Sequence, residues 1–224
     1  MRLGVCGMIP SNFRETTPGH LEAIRALELT GAAFHYPGDK MNDLKSEELH
    51  AVRQTFRDTQ MDLVQFGIGY GECLFDPDDS VRDLVLKKIY NGIEVSRELD
   101  SIACLIRTGS LNPNGSYAPS KSNLTIDAKK RLIETLGLIA NKAEKEGVQV
   151  VIETHLLTIM GSPEKNQEII SEVGSKNMSV VMDYVNHFQN LEQVYNSKDR
   201  LKQIFSFMNP ISNNASERAL SINF

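Results

Sequence analysis

Short apolar runs alternate with longer amphipathic stretches along most of this chain, and that alternation restricts it to very few folds. The runs occupy residues 3–6, 32–35, 63–67, 101–107, 148–153 and 178–183. They are short, β-branched in places and bounded by Gly, Asn or Asp, the pattern of parallel strands buried on both faces. Helical patterns cover 18–30, 46–59, 78–99, 125–146, 163–175 and 191–205. Several carry start and stop chemistry. Thr17-Pro18 and Ser162-Pro163 each place a capping hydroxyl before a proline in the first turn, and Ser46 caps ahead of Glu47 and Glu48. Gly31 and Gly147 follow helices, where a left-handed residue is wanted. The chain reads as six βα units in succession.

Repeated βα units build either an open doubly wound sheet or a closed eight-stranded barrel. No Gly-x-Gly-x-x-Gly follows a strand and no phosphate loop of the Walker type is present, which removes support from the nucleotide-binding sheet. Polar residues stand instead at the C-terminal ends of five different strands: His35, Gln65, Arg107, Glu153 and Asp183. A barrel brings such ends together at one mouth. The expected fold is therefore α/β, a (β/α)8 barrel of the TIM type. The last two runs begin at 148 and 178, about 30 residues apart, so a seventh strand is due shortly after Phe207. From Ser212 onward the sequence is polar and has no strand-length apolar run. We expect an incomplete barrel of about six βα units over residues 1–211 and an irregular tail over 212–224, where a full barrel takes roughly 250 residues.

Composition narrows the partners. The hydrophobic fraction of 41% suffices for one sizeable core, hence one domain. Lysines and arginines are dispersed and the formal charge is −5, which speaks against a nucleic-acid surface. Cys6, Cys73 and Cys104 are odd in number and lack metal-type spacing, as expected of buried thiols in a reducing compartment. The N-terminus shows no signal-peptide pattern and no run reaches the roughly 18 apolar residues of a membrane span, so a cytoplasmic protein is expected.

The chemistry concentrates in two strand ends. Val-Val-Ile-Glu-Thr-His (150–155) delivers Glu153 and His155, and Val-Val-Met-Asp-Tyr-Val-Asn-His (180–187) delivers Asp183, Asn186 and His187. In each, an apolar run presents a carboxylate where strand gives way to loop, the place where barrel enzymes build their sites. A carboxylate there can act as a general base; it can equally cap a following helix or pair with a lysine. His155 and His187, two to four residues beyond their carboxylates, read as contacts to substrate or metal, or else as structural loop residues. Arg107 reads as a binder of a hydroxyl or phosphate, or as half of an ion pair. His35, followed by Tyr36-Pro37-Gly38, is expected to line the pocket. Gly67-x-Gly69-x-Gly71 reads as backbone flexibility after the third strand, since it does not open straight into a helix. The Pro-, Gly-, Ser- and Asn-rich stretch 112–123 is a long βα loop, either a lid or a surface loop.

These two segments, with Ile106-Arg107-Thr108-Gly109-Ser110 upstream, resemble the xylose-isomerase-like TIM-barrel family over residues 1–211, most closely its sugar phosphate isomerase/epimerase branch. Members of that family bind one divalent metal through Glu, Asp, His and Glu on strands five to eight. The resemblance implies Glu153 as first ligand and Asp183 as second, with Asn186 facing substrate; the third and fourth ligands have no counterpart. It implies Mn²⁺, Mg²⁺ or Zn²⁺ as cofactor and a small sugar or polyol as substrate. A proton would move between adjacent carbons through an enediolate, with Glu153 as both ligand and base. Substrate contacts would come from His35, Arg107, His155, Asn186 and His187. The implied protein is a metal-binding isomerase or epimerase of sugar metabolism, without nucleic-acid or membrane partners, and self-association is left open. Two other readings compete. An endonuclease acting on abasic sites would need more ligands and a basic groove than five histidines and a pI near 5.6 suggest. A non-catalytic barrel fragment would expose two sheet edges.

Overall fold

In the computed structural model, which describes residues 3–216 and 220–221, six strands lie side by side in the order in which the chain makes them. They are β1 (Leu3–Cys6), β2 (Gly31–Pro37), β3 (Asp62–Gly69), β4 (Cys104–Arg107), β5 (Val150–Glu153) and β6 (Met178–Val180). Helices α1 (Pro18–Arg25), α2 (Ser46–Asp58), α3 (Asp79–Leu99), α4 (Ile126–Glu146) and α5 (Pro163–Val173) connect them, and all neighbouring strands pair parallel. A doubly wound sheet reverses its strand order at a switch point. This one does not, so its winding is that of a barrel wall, and the fold is a partial (β/α)8 barrel.

The chain beyond β6 departs from expectation. The helix expected at 191–205 is two helices, α6 (Leu191–Tyr195) and α7 (Ser197–Ser216), and α7 runs through Pro210 into the stretch expected to be irregular. Its buried residues Arg200, Ile204, Met208 and Ser212 recur every four positions, so one stripe continues past the proline and packs on α5 and β6. A two-residue strand, β7 (Leu220–Ser221), then pairs parallel with β1, Leu3 opposite Leu220. The remainder of the expected tail, 217–219 and 222–224, lies outside the described residues. Sheet order is β6-β5-β4-β3-β2-β1-β7, open between its two ends.

Local chemistry sets the helix boundaries. Asp78 accepts a hydrogen bond from the Ser80 amide at the start of α3, Thr125 from Ala128 at α4 and Ser162 from Lys165 at α5, each satisfying an amide the first turn leaves free. Gly147 and Gly174 end α4 and α5 at φ near +70°, a conformation that costs glycine nothing. Two expectations shift. Ser46 is already helical, and the first turn of α2 is held by Glu48, which accepts from the Lys45 amide at 3.0 Å. Gly31 opens β2 rather than closing α1, which ends at Arg25.

Strand parity divides the side chains between two faces. Cys104, Ile106, Val150 and Ile152 face the helices in a continuous core with Phe13, Phe66, Ile89 and Leu132. Each fully buried large side chain there contributes roughly 1.5–3 kcal/mol. The alternate residues Ala103, Leu105 and Val151, joined by Val181, form a separate small cluster on the inner face of the wall. No helix among the described residues is long and apolar enough to cross a membrane.

Candidate active site

The same parity sends polar side chains inward at the C-terminal rim. Two residues on from Leu105, Val151 and Val181 come Arg107, Glu153 and Asp183. Arg107 and Glu153 are register partners in the β4–β5 pair. On β2, Phe34 and Tyr36 belong to the outer core, which leaves His35 facing inward. Its ring needs room that only glycine leaves: a Cβ on Gly67 would lie 2.1 Å from His35 Cδ2. Gly67 and Gly69 therefore belong to β3, and the expectation of a flexible glycine loop gives way to a seat for the imidazole. Below it, Gln65 is 3% exposed and its Nε2 has no hydrogen-bond partner among the described residues.

Each rim group is held by neighbours. Tyr70 donates from its hydroxyl to the Arg107 carbonyl (2.6 Å) and accepts from the Arg107 amide (3.0 Å), extending the ladder past β4. The Arg107 guanidinium donates to the Tyr70 carbonyl and stands 5.4 Å from the Tyr70 ring centroid, while its Nε is buried without a hydrogen-bond partner among the described residues. Cys6 Sγ is 3.9 Å from His35 Nδ1. Burial holds the His35 pKa below the usual imidazole value, with the Glu153 charge opposing that shift. Burial raises the Asp183 carboxyl above its usual range and the nearby Glu153 charge pushes the same way. Asn186 Nδ2 donates to Asp183 Oδ2 at 2.9 Å.

The loop between β4 and α4 contributes a residue that the sequence reading passed over. Tyr117 reaches over the rim and donates its hydroxyl to Glu153 Oε2, with its ring centroid 5.1 Å from that of His155. The loop is ordered by its own polar residues. Asn123, buried at 1% exposure, accepts from the Leu111 amide and donates to Ser110 Oγ, both at 2.9 Å, and Ser110 Oγ donates to the Ala118 carbonyl. Gly109 turns the chain into this loop at φ +75°, where a Cβ would meet the Glu72 carbonyl at 2.8 Å. The one available signal was composition: Tyr117 is the sole aromatic residue between Arg107 and α4.

His35, Arg107, Glu153 and Asp183 thus share the inner rim, with His155 and Asn186 beside them. His187 does not join them. Thr154, next to Glu153, faces the opposite way, and fully buried His187 lies with it, Nε2 3.2 Å from Thr154 Oγ1. Burial, seconded by the Arg200 charge, lowers the His187 pKa to about 4, so the ring is neutral, and Arg200 donates to its carbonyl at 2.7 Å. The expected substrate contact is a buried structural imidazole behind the strand. Burial pushes the Cys73 and Cys104 thiols up to about 12, in keeping with inert core cysteines.

The sequence model described as xylose isomerase-like TIM barrel matches residues 21–213. No curated protein sequence matches the chain. Among solved structures, D-psicose 3-epimerase in the presence of D-fructose superposes with a TM-score of 0.69 at 18% identity, over 95% of this chain and 71% of that one. A putative xylose isomerase from Rhodospirillum rubrum gives 0.72 at 13%, over 95% and 75%. The apo form of 3-keto-D-glucoside 4-epimerase from E. coli gives 0.67 at 15%, over 95% and 76%. At these identities the likeness is one of fold.

Proposed function

The chain belongs to the xylose isomerase-like TIM-barrel family, and from that premise we propose that it isomerises or epimerises a small sugar or polyol by moving a proton between adjacent carbons. The observation that carries this reading is the convergence of Arg107, Glu153 and Asp183 on one inner rim, from three successive strands. Structural likeness to sugar epimerases supports the substrate class.

Glu153 acts as the base. Its Oε1, the oxygen Tyr117 does not engage, receives the proton that leaves carbon and returns it to the neighbouring position or face. Arg107, with its unpartnered Nε, donates to a substrate oxygen. His35, exposed at the rim with its pKa lowered by partial desolvation, offers a ring nitrogen to a hydroxyl, and His155 and Asn186 line the same side. The carboxylates of Glu153 and Asp183 suit a divalent cation in kind. They are hard oxygen donors; burial and the Glu153 charge raise the cost of ionising Asp183, and a cation relieves it. Among the described residues no three His, Cys, Asp or Glu side chains lie close enough to hold a metal ion together. Two carboxylates match Mg²⁺ or Mn²⁺, which keep several waters, better than the four-ligand cage of a structural zinc. When bound, such an ion supplies positive charge against the oxygens of an enediolate.

The test is proton exchange. Incubated in D₂O with Mg²⁺ or Mn²⁺ and a panel of ketohexoses and pentuloses, the protein should wash deuterium into one carbon position, read by NMR. Glu153→Gln should reduce that exchange by at least about a hundredfold, the lower range for a general base. A folded protein that exchanges no position in any of these sugars would defeat the reading. It would favour instead the non-catalytic barrel, whose support is the missing third ligand among the described residues.

A further inference from the structure

We propose that Tyr117 is a gate on the Glu153 carboxylate: its hydroxyl holds the oxygen that a divalent cation takes, and leaves it when the cation binds. This deepens the reading of Glu153 and Asp183 as the donors of such an ion and rests on it.

Both candidate donors are already engaged by the protein itself. Tyr117 occupies Glu153 Oε2 and Asn186 occupies Asp183 Oδ2. The two differ in what holds them. Asn186 lies three residues from Asp183 in the same short turn, and its backbone amide also bonds the Asp183 carbonyl, so it moves with the carboxylate. Tyr117 arrives from a different element, 36 residues away in sequence, and brings its ring beside His155.

The backbone of the loop is fixed close to Tyr117. Ser110 Oγ holds the Ala118 carbonyl and Asn112 Nδ2 holds the Pro119 carbonyl, both at 2.7 Å. Tyr117 therefore leaves by side-chain rotation, without opening the loop, and gives up its hydrogen bond to the Glu153 carboxylate together with its contact to the Arg107 side chain. A bond of that kind, discounted for a half-buried setting, lowers apparent cation affinity about tenfold.

The chain contains no Trp and six Tyr, so tyrosine emission can be read directly. A phenol hydrogen-bonded to a carboxylate emits weakly and brightens on release. Titration calorimetry with MnCl₂ on wild type, Tyr117→Phe and Glu153→Gln, with tyrosine emission followed against MgCl₂, tests the gate. We expect Tyr117→Phe to bind Mn²⁺ about tenfold more tightly than wild type and Glu153→Gln to bind none. Wild-type emission should rise to saturation with Mg²⁺, and that rise should vanish in Tyr117→Phe. Equal or weaker Mn²⁺ binding by Tyr117→Phe overturns the gate while leaving the cation reading standing. Absence of binding in both wild type and Tyr117→Phe overturns the two together. The emission change in wild type needs no variant, so a poorly folding Tyr117→Phe does not shield the proposal: flat emission through a saturating, calorimetrically visible Mg²⁺ titration also overturns it.

Discussion

Gly67 has no side chain because His35 uses its space, and the two should fail together. A methyl group at position 67 would sit 2.1 Å from the His35 ring, which must move to admit it, so Gly67→Ala should cost about 1–3 kcal/mol in urea unfolding. Adding His35→Ala should recover most of that loss; a double variant no more stable than Gly67→Ala would mean that the strain lies in the backbone instead. His187 makes a second prediction. Its folded-state pKa of about 4 lies below the ordinary 6.5, so the unfolded chain binds the proton first. Its contribution is complete above pH 6.5 and is lost as pH falls toward 4, up to about 3 kcal/mol. The ionisable groups facing it are Arg200, Glu164 and His155, of which only Glu164 favours the charged ring. His187→Gln should flatten the stability profile between pH 6.5 and 4, and an unchanged slope would assign it to the carboxylates. At this scale, legibility followed the apolar runs. Arg107, Glu153 and Asp183 could be placed because each ends an apolar run, and the structure adds that parity turns them inward, whereas Thr154 faces outward after Glu153, and nothing local in the sequence tells His187 from His155. Tyr117 depended on how a loop folds back, which no periodicity encodes.

Among elements, those with a regular period and a cap were readable, and those defined by long-range packing were not. The strand positions and helices α3 to α5 agree with the apolar runs, the helical patterns and the Ser162 start because these signals are local. The first half of α7 falls within the helix expected at 191–205, but its continuation through Pro210 was not legible because the polar residues from Ser212 read as an irregular tail. A proline removes one helical hydrogen bond and costs about 3 kcal/mol in an isolated helix. Here the stripe of Ile204 and Met208, both fully buried, offsets that cost by packing on α5 and β6. Met208→Ala should accordingly destabilise the whole chain by about 2–5 kcal/mol in chemical unfolding, the range for emptying a core site. If residue 208 belonged to a loose tail, the change would stay within about 0.5 kcal/mol, as on a surface.

For the molecule as a whole, the open wall decides how the site and the fold depend on each other. Strand β6 has a sheet neighbour on one side only, and the segment after it exposes Tyr184, Val185, Leu191, Val194 and Tyr195. Asp183 therefore sits at the less supported flank of the rim, while Glu153 is backed by strands on both sides. A cation held between them would tie that flank to the rest of the wall, so the ion should act on global stability and not only on local order. At a hundred times its dissociation constant, an ion that binds only the native state adds about 2.7 kcal/mol. For a domain of this size that is a rise in Tm of about 5–10 °C. We expect a single cooperative melt that climbs with Mg²⁺ or Mn²⁺ in wild type and stays put in Glu153→Gln. A two-step melt in which only the lower transition responds would mean that the β6–α7 flank unfolds by itself, with the ion securing that flank alone. A melt indifferent to either ion would leave the two carboxylates without a bridging role, and the open barrel would then rest on its apolar core alone.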